Sequence, residues 1–250
     1  MSVKSAQRVL QVFECLTMHT EGLSIKEISE TLDFPQSSTS NLIKTLADEG
    51  YLRQDTQKRY KLGPKLIGIG TAAMESLDVS AVGKPYLKTL MEEVQETVFM
   101  ALMAEEELVY VAKIDNNRSI RTTAQPGNKK PIYCTGLGKA FLSFMPEESK
   151  NKLLDSTELL PITSHTITSR EQMEHELAES RKRGYAIDNE ENEEGLFCLA
   201  APIYGGDRQM QAAISVAGPK ERMTARKDQI AKVLLLTSKK ISASLGYLAR

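Results

Sequence analysis

The chain has 250 residues, 41% of them hydrophobic and 26% charged, with a formal net charge of −1. That length suits one large domain or two small ones, and the near-neutral charge excludes a protein that coats nucleic acid through bulk positive charge: any such contact has to come from a local surface. Three cysteines, an odd number with no tight pairing, argue against a disulfide scaffold and for a reducing compartment.

Residues 5 to 18 read as a helix, with Val9, Phe13 and Leu16 at helical spacing and Leu10 and Val12 widening the stripe. Glu21-Gly22 breaks it. Ser24-Ile-Lys-Glu27 is a capping-box pattern, so a second helix should run to about Leu32, burying Ile25, Ile28 and Leu32. After the turn Asp33-Phe34-Pro35, a third helix should span about Gln36 to Glu49 and bury Leu42, Ile43 and Leu46. Gly50 is placed to end it in a left-handed cap. Residues 51–53 and 59–62 alternate as strands do, around a polar loop at 54–58. Beyond Gly63-Pro64, a helix is expected from Lys65 to about Leu77 and another over 80–96.

From Thr97 the pattern changes. Residues 98–103 and 108–112 read as strands joined at 105–107, and 119–123 as a further strand. Helices are expected from Gly136 to Met145, from Arg170 to Arg183 and from about Arg226 to Leu245. Two core strands, 198–203 and 211–217, flank the turn Gly205-Gly206-Asp207. The one acidic run, Glu190 to Glu194, reads as a solvated loop.

Three short helices and a two-stranded wing within about 60 residues is the winged helix-turn-helix layout. The third helix packs one face on its neighbours and turns a polar face outward. Short polar side chains at a helix start let it approach the major groove closely and bond bases or phosphates. The candidate DNA contacts are Gln36, Ser37, Ser38, Ser40, Asn41 and Lys44 on that helix, with Arg53, Lys58 and Arg59 (and Lys61) bringing positive charge to the wing. The bland alternatives are that the polar turn only caps the helix, or that the winged helix binds protein. Because Glu14, Glu21, Glu27, Glu30 and Asp33 share the unit, one copy should bind weakly, and two in a dimer would recover affinity.

In the larger part, Pro131-Ile-Tyr-Cys-Thr-Gly-Leu-Gly-Lys-Ala140, Thr166-Ile-Thr168, Arg181-Lys-Arg-Gly-Tyr-Ala-Ile-Asp-Asn-Glu-Glu191, Gly195-Leu-Phe-Cys-Leu-Ala-Ala-Pro202 and Ala213-Ile-Ser-Val-Ala-Gly-Pro219 follow in order. This succession resembles the effector-binding domain of the IclR family of bacterial transcriptional regulators, and the N-terminal unit resembles that family's winged helix. The resemblance implies an α+β protein: a winged helix-turn-helix DNA-binding domain over 1–63, a linker helix over 64–79, and a GAF-like α/β effector-binding domain over 80–250. It implies double-stranded operator DNA as partner, a homodimer or homotetramer, a small organic-acid or sugar-acid effector, and repression as the expected mode of control, since many members repress, though some activate. Gly136, Leu137, Asp188, Cys198 and Ser215 match the family's effector-site positions. Backbone N–H groups at the Gly136 helix start and Ser215 would hold a carboxylate, and Asp188 would accept a bond from a ligand hydroxyl, since like charges repel. The sequence departs from the family's pattern at Ala217, where a second serine is usual, and at Ser40 and Asn41, where many relatives carry an aromatic and a basic residue.

Each pocket residue also has a plain reading: Cys198 as core, Ser215 as a backbone partner, Asp188 as a cap or a partner of Arg181 or Arg183, the glycines as turn formers. The rival class is a cysteine-dependent enzyme, or a small-molecule-binding protein, with a winged helix that does not bind DNA. Cys198 would need His165 or His175 beside it, and no nucleophile signature or metal-ligand spacing surrounds it. A thiol redox sensor ranks lower still. We therefore expect no catalytic residue, no metal and no cofactor. The N-terminus, MSVKSAQ, leads into no signal-peptide core, and the longest aliphatic run, Val233 to Leu236, cannot span a bilayer. A cytoplasmic protein with no membrane partner is expected.

Overall fold

The computed structural model describes residues 3–69, 78–104, 106–116, 118, 119, 122 and 124–248. The chain divides into two compact units between residues 76 and 77.

The N-terminal unit has helices α1 (Lys4–Met18), α2 (Ile25–Thr31) and α3 (Gln36–Asp48), then strands β1 (Leu52–Gln54) and β2 (Tyr60–Leu62). Both arms of the capping box form: Ser24 Oγ accepts the Glu27 N–H, and Glu27 accepts the Ser24 N–H at 2.7 Å. Gly50 ends α3 at φ +76°, a conformation that costs a side chain strain, while the Tyr51 N–H returns to the Leu46 carbonyl. Val12, Leu16, Ile28, Ile43, Leu46 and Leu52 form one core. Full burial of each such side chain contributes roughly 1.5–3 kcal/mol. β1 and β2 pair antiparallel, with Arg53 opposite Lys61. Residues 65–69 begin a helix; the remainder of the expected linker helix, 70–77, lies outside the described residues.

The C-terminal unit is a six-stranded antiparallel sheet between two helical layers. Helix α4 (Val79–Val94) leads into β3 (Thr97–Ala104), β4 (Glu107–Ile114) and the two-residue β5 (Lys129–Lys130). Helices α5 (Gly136–Phe144), α6 (Glu147–Asp155) and α7 (Arg170–Arg183) follow. Then come β6 (Ala186–Asn189), β7 (Leu196–Tyr204), β8 (Met210–Pro219), α8 (Lys220–Ala225) and α9 (Lys227–Ser244). The strand order is β5-β4-β3-β8-β7-β6. The central strands β3, β7 and β8 are apolar on both faces because both are covered, and the edges are short, as edges usually are.

Side chains alternate between the faces. Leu199, Ala201, Ile214 and Val216 pack under α4 and α9, and Phe99, Tyr110, Cys198, Ala200 and Ala217 pack under α5 and α7. The sequence reading passes over β5, α6 and α8. Of the strand expected at 119–123, Ser119 and Thr122 are not in a strand, and 120, 121 and 123 lie outside the described residues. Among the described residues no helix is long and apolar enough to cross a membrane.

Candidate functional site

Two surfaces concentrate unpaired polar chemistry, one in each unit. On α3, Thr39, Ile43 and Leu46 are buried while Gln36, Ser37, Asn41 and Lys44 are exposed; Ser38 and Ser40 are half-buried. The residue before the helix is Pro35, which gives no side-chain cap. Ser38 and Thr39 turn their hydroxyls back onto the Pro35 carbonyl, both at 3.0 Å. None of the small polar residues therefore caps the helix, and the first-turn N–H groups point outward, where an anionic oxygen can meet them.

Residues 1–63 carry eight Lys or Arg and eight Asp or Glu, so placement decides. Glu27 is tied to Arg59 Nη2 at 2.8 Å, and Asp55 accepts the Gln57 and Arg59 N–H groups and faces Lys61 at 3.6 Å. Both carboxyls are held below their usual range, chiefly by backbone N–H bonds, from Ser24 to Glu27 and from Arg59 to Asp55. Arg59 and Lys61 are thus half-buried in ion pairs, while Arg53 and Lys58 on the wing are exposed. Arg8 stacks over Phe34 at 5.0 Å and reaches Ser38 Oγ at 3.5 Å, fixing the start of α3.

In the C-terminal unit a narrow cavity of about 30 Å³ opens on the α5 face of the sheet. Gly136, Asp188, Cys198 and Ser215 all line it, with Phe99, Tyr110, Ala217 and Lys130 as further walls. Leu137 does not line it and packs in the core behind. The register explains the grouping: Asp188 pairs with Cys198, Cys198 with Ala217, Ala200 with Ser215 and Ser215 with Phe99, so one sheet face carries them. Gly136 is needed for space. A Cβ there would stand 2.7 Å from Cys198 Sγ.

Ser215 is 1% exposed and its hydroxyl has no hydrogen-bond partner among the described residues. A buried orphan hydroxyl is costly and calls for a partner. It lies near enough to Cys198 to weigh on that thiol's titration, though not in bonding geometry. Asp188 is 2% exposed and accepts the Glu191 N–H at 2.8 Å and the Asn192 N–H at 3.4 Å. Burial, then the neighbouring Glu191 carboxyl, pushes it up to about 7, with Lys139 opposing.

The acidic run at 190–194 is not the solvated loop expected of it. Glu191 is 5% exposed and ion-paired with Lys139, itself fully buried on α5. Glu190 is ion-paired with Lys220, and Gly195 N–H bonds its other oxygen at 2.9 Å. Cations from α5 and α8 hold both carboxyls in place; only Glu193 and Glu194 face solvent. The Thr166 motif has a matching role. Thr166 Oγ1 takes the Ile162 and Thr163 N–H groups and donates to the Glu191 carbonyl at 2.6 Å, and Thr163 donates to Glu190. The loop thereby clamps the turn that carries Asp188. Sequence reasoning missed Lys139 and Lys130; a lysine inside an apolar helix pattern was the available signal for the first.

Thiol chemistry fits poorly. Burial pushes Cys134 and Cys198 up to about 12, with Asp188 adding to the shift at both, so neither offers a thiolate near neutral pH. His165 is exposed and faces Glu190 at 3.9 Å.

Comparison with known proteins agrees in both units. The profile described as "IclR helix-turn-helix domain" matches residues 5–56, and "Bacterial transcriptional regulator IclR C-terminal" matches 71–243. The chain is 32% identical to the transcriptional repressor IclR of Escherichia coli over 248 residues, 98% of this chain and 90% of that protein. It resembles the crystal structure of the Thermotoga maritima IclR at TM-score 0.66 and 31% identity, covering 98% and 99% of the two chains. It shares the fold of Pseudomonas aeruginosa HmgR at TM-score 0.85 and 24% identity, covering 99% and 100%. An α+β chain with a helix-turn-helix unit and a helix-covered antiparallel sheet, matched along nearly its whole length, belongs to the IclR family of bacterial transcriptional regulators and is a DNA-binding transcription regulator.

Proposed function

We propose that this protein is a ligand-responsive repressor: residues 1–63 read a double-stranded operator, and a small organic acid or sugar acid held within residues 80–250 changes operator affinity, the two joined by residues 64–79. One observation carries the reading half of the proposal. α3 presents exposed Ser37, Asn41 and Lys44 beside first-turn N–H groups that no side chain caps. Asn41 and the serines contact base edges or phosphates, while Lys44, Arg53 and Lys58 neutralise phosphates. Arg59, engaged by Glu27, contributes less than its wing position suggests.

Three positive side chains per copy make a weak reader. A homodimer, or each pair within a tetramer, would present six, and the log–log salt slope of binding one operator by one pair would be about −5. Repression is the mode named for the similar Escherichia coli regulator.

The effector half is supported by the orphan hydroxyl of Ser215, which lines one cavity together with Asp188. The cavity's 30 Å³ has room for about two waters. An acid of several carbons therefore enters only if the walls part, and a ligand that binds the parted state shifts the population toward it. Its coupling to DNA would be about 1–3 kcal/mol, or 5- to 150-fold in operator affinity. The test is operator binding by fluorescence anisotropy, with and without each member of an organic-acid panel. A shift of at least fivefold that Asp188→Ala abolishes, while DNA binding persists, supports the proposal. No response to any acid in a protein that binds its operator would remove the effector half.

A further inference from the structure

The polar groups around the cavity are distributed unevenly. At the end built from α5, β6, β7 and β8 stand Asp188, the Ser215 hydroxyl and the Cys198 thiol. That end suits a carboxylate badly. Asp188 is buried there, and Lys139, the cation that acts on it, is already ion-paired with Glu191, so a ligand carboxylate would meet Asp188 with no free counter-charge beside it in a medium of low dielectric. At the helix start one of the N–H groups is already taken, the Gly138 N–H bonding Thr135 Oγ1 at 3.1 Å. The Cys198 sulfur fills the space at Gly136, within 2.7 Å of where a Cβ would stand. Ala217 adds only a methyl group. What remains, a hydroxyl and a carboxyl able to accept or donate, suits the hydroxyl groups of a ligand.

The positive charge lies elsewhere. Lys130 is on the edge strand β5, opposite Leu108 of β4, and Leu108 belongs to the core on the cavity side of the sheet. The register therefore turns Lys130 toward the cavity, which it lines, and Lys129 to the other face, where it pairs with Glu107. Among the described residues the Lys130 side chain makes no hydrogen bond or ion pair. Lys130 and Asp188 stand apart, on β5 and β6, the two opposite edge strands of the sheet. The acidic wall residue Glu193 is exposed, where solvent screens it.

We infer that Lys130 is the specificity-determining residue of the effector site: its ammonium pairs with the ligand's carboxylate, while Asp188 and Ser215 take hydroxyls at the opposite end. The class selected is an acid whose hydroxyl groups are separated from its carboxylate by several atoms, a polyhydroxy acid rather than a short oxo acid. This inference rests on the reading of the cavity as an acid site, and it specifies which wall reads the charge.

The experiment is calorimetric titration of the full-length protein with four probes, glycerate, 3-hydroxybutyrate, gluconate and galacturonate, each beside its uncharged primary amide. The amide keeps the shape and removes the charge. For the acid that binds tightest, wild type should prefer acid over amide by about tenfold or more. Lys130→Gln should abolish that preference, and Lys130→Arg should keep most of it. Asp188→Asn and Ser215→Ala should weaken acid and amide alike. Melting curves without probe confirm that each variant folds. Retention of the acid preference in Lys130→Gln would overturn the inference and return the carboxylate to the α5 end, leaving the acid site intact. Failure of all four acids to bind wild type would overturn the acid-site reading and this inference with it.

Discussion

In the N-terminal unit the polar groups face outward: Ser37, Asn41 and Lys44 stand exposed on α3, over a core with no charged member. In the C-terminal unit they are driven inward, with Asp188, Glu191, Lys139 and Ser215 each less than one-tenth exposed. The contrast follows from what each must recognise. A duplex is larger than the protein's own reading head, so its phosphates must be met at the surface, where salt screens every contact. A small acid is surrounded by its site, and desolvated charges discriminate more strongly and cost more to bury. The same residue type should therefore behave differently in the two units.

Lysine gives the sharpest test. Lys139→Ala would strand the Glu191 carboxyl, which already has one oxygen without a partner, and should destabilise the C-terminal unit by about 3–5 kcal/mol, read by chemical denaturation. Lys44→Ala should leave stability within about 0.5 kcal/mol and instead weaken DNA binding at all sequences, lowering the salt slope by about one per site. Equal stability losses in the two variants would break the contrast. Slightly smaller is the effect of the apolar core: Ile43→Ala should cost about 2–5 kcal/mol and abolish operator binding, while acid binding by the C-terminal unit survives.

Asp188 sharpens the comparison through pH. Its folded-state value of about 7 lies above the ordinary 3.8. The folded protein therefore holds a proton that the unfolded chain releases, and stability falls as pH rises from about 4 to 7. Asp188→Asn should raise the melting temperature at pH 8, with the gain shrinking toward pH 4, and should weaken acid binding. A gain independent of pH would mean that the carboxyl titrates normally. The smallest effect separates two wing arginines. Arg53→Ala should lower the salt slope by about one per site, and Arg59→Ala by less, because Glu27 already holds that guanidinium.

The outward-facing unit was the more legible in sequence. Its helices are set by apolar spacing and by local signals, the Ser24–Glu27 box and Gly50, which act within a few residues. The sheet face holding Gly136, Asp188, Cys198 and Ser215 could be assembled only by resemblance, since pairing across β3, β8, β7 and β6 joins residues far apart in the chain. Long-range ion pairs were invisible for the same reason. Nothing local in Glu190 and Glu191 says that Lys220 and Lys139 will hold them, and nothing local in Arg59 says that Glu27 will. The alternation that points Lys130 inward becomes readable only once β5 is seen to pair with β4.

The first measurement is selection of bound sites by the full-length protein from randomised duplex DNA, at two salt concentrations, repeated with Asn41→Ala. The expected result is one enriched two-fold sequence whose affinity falls steeply with salt, and a relaxed preference at one base position of each half-site in the variant. Recovery of no enriched sequence, or of the same sequence with undiminished preference in Asn41→Ala, would contradict α3 as the reading head.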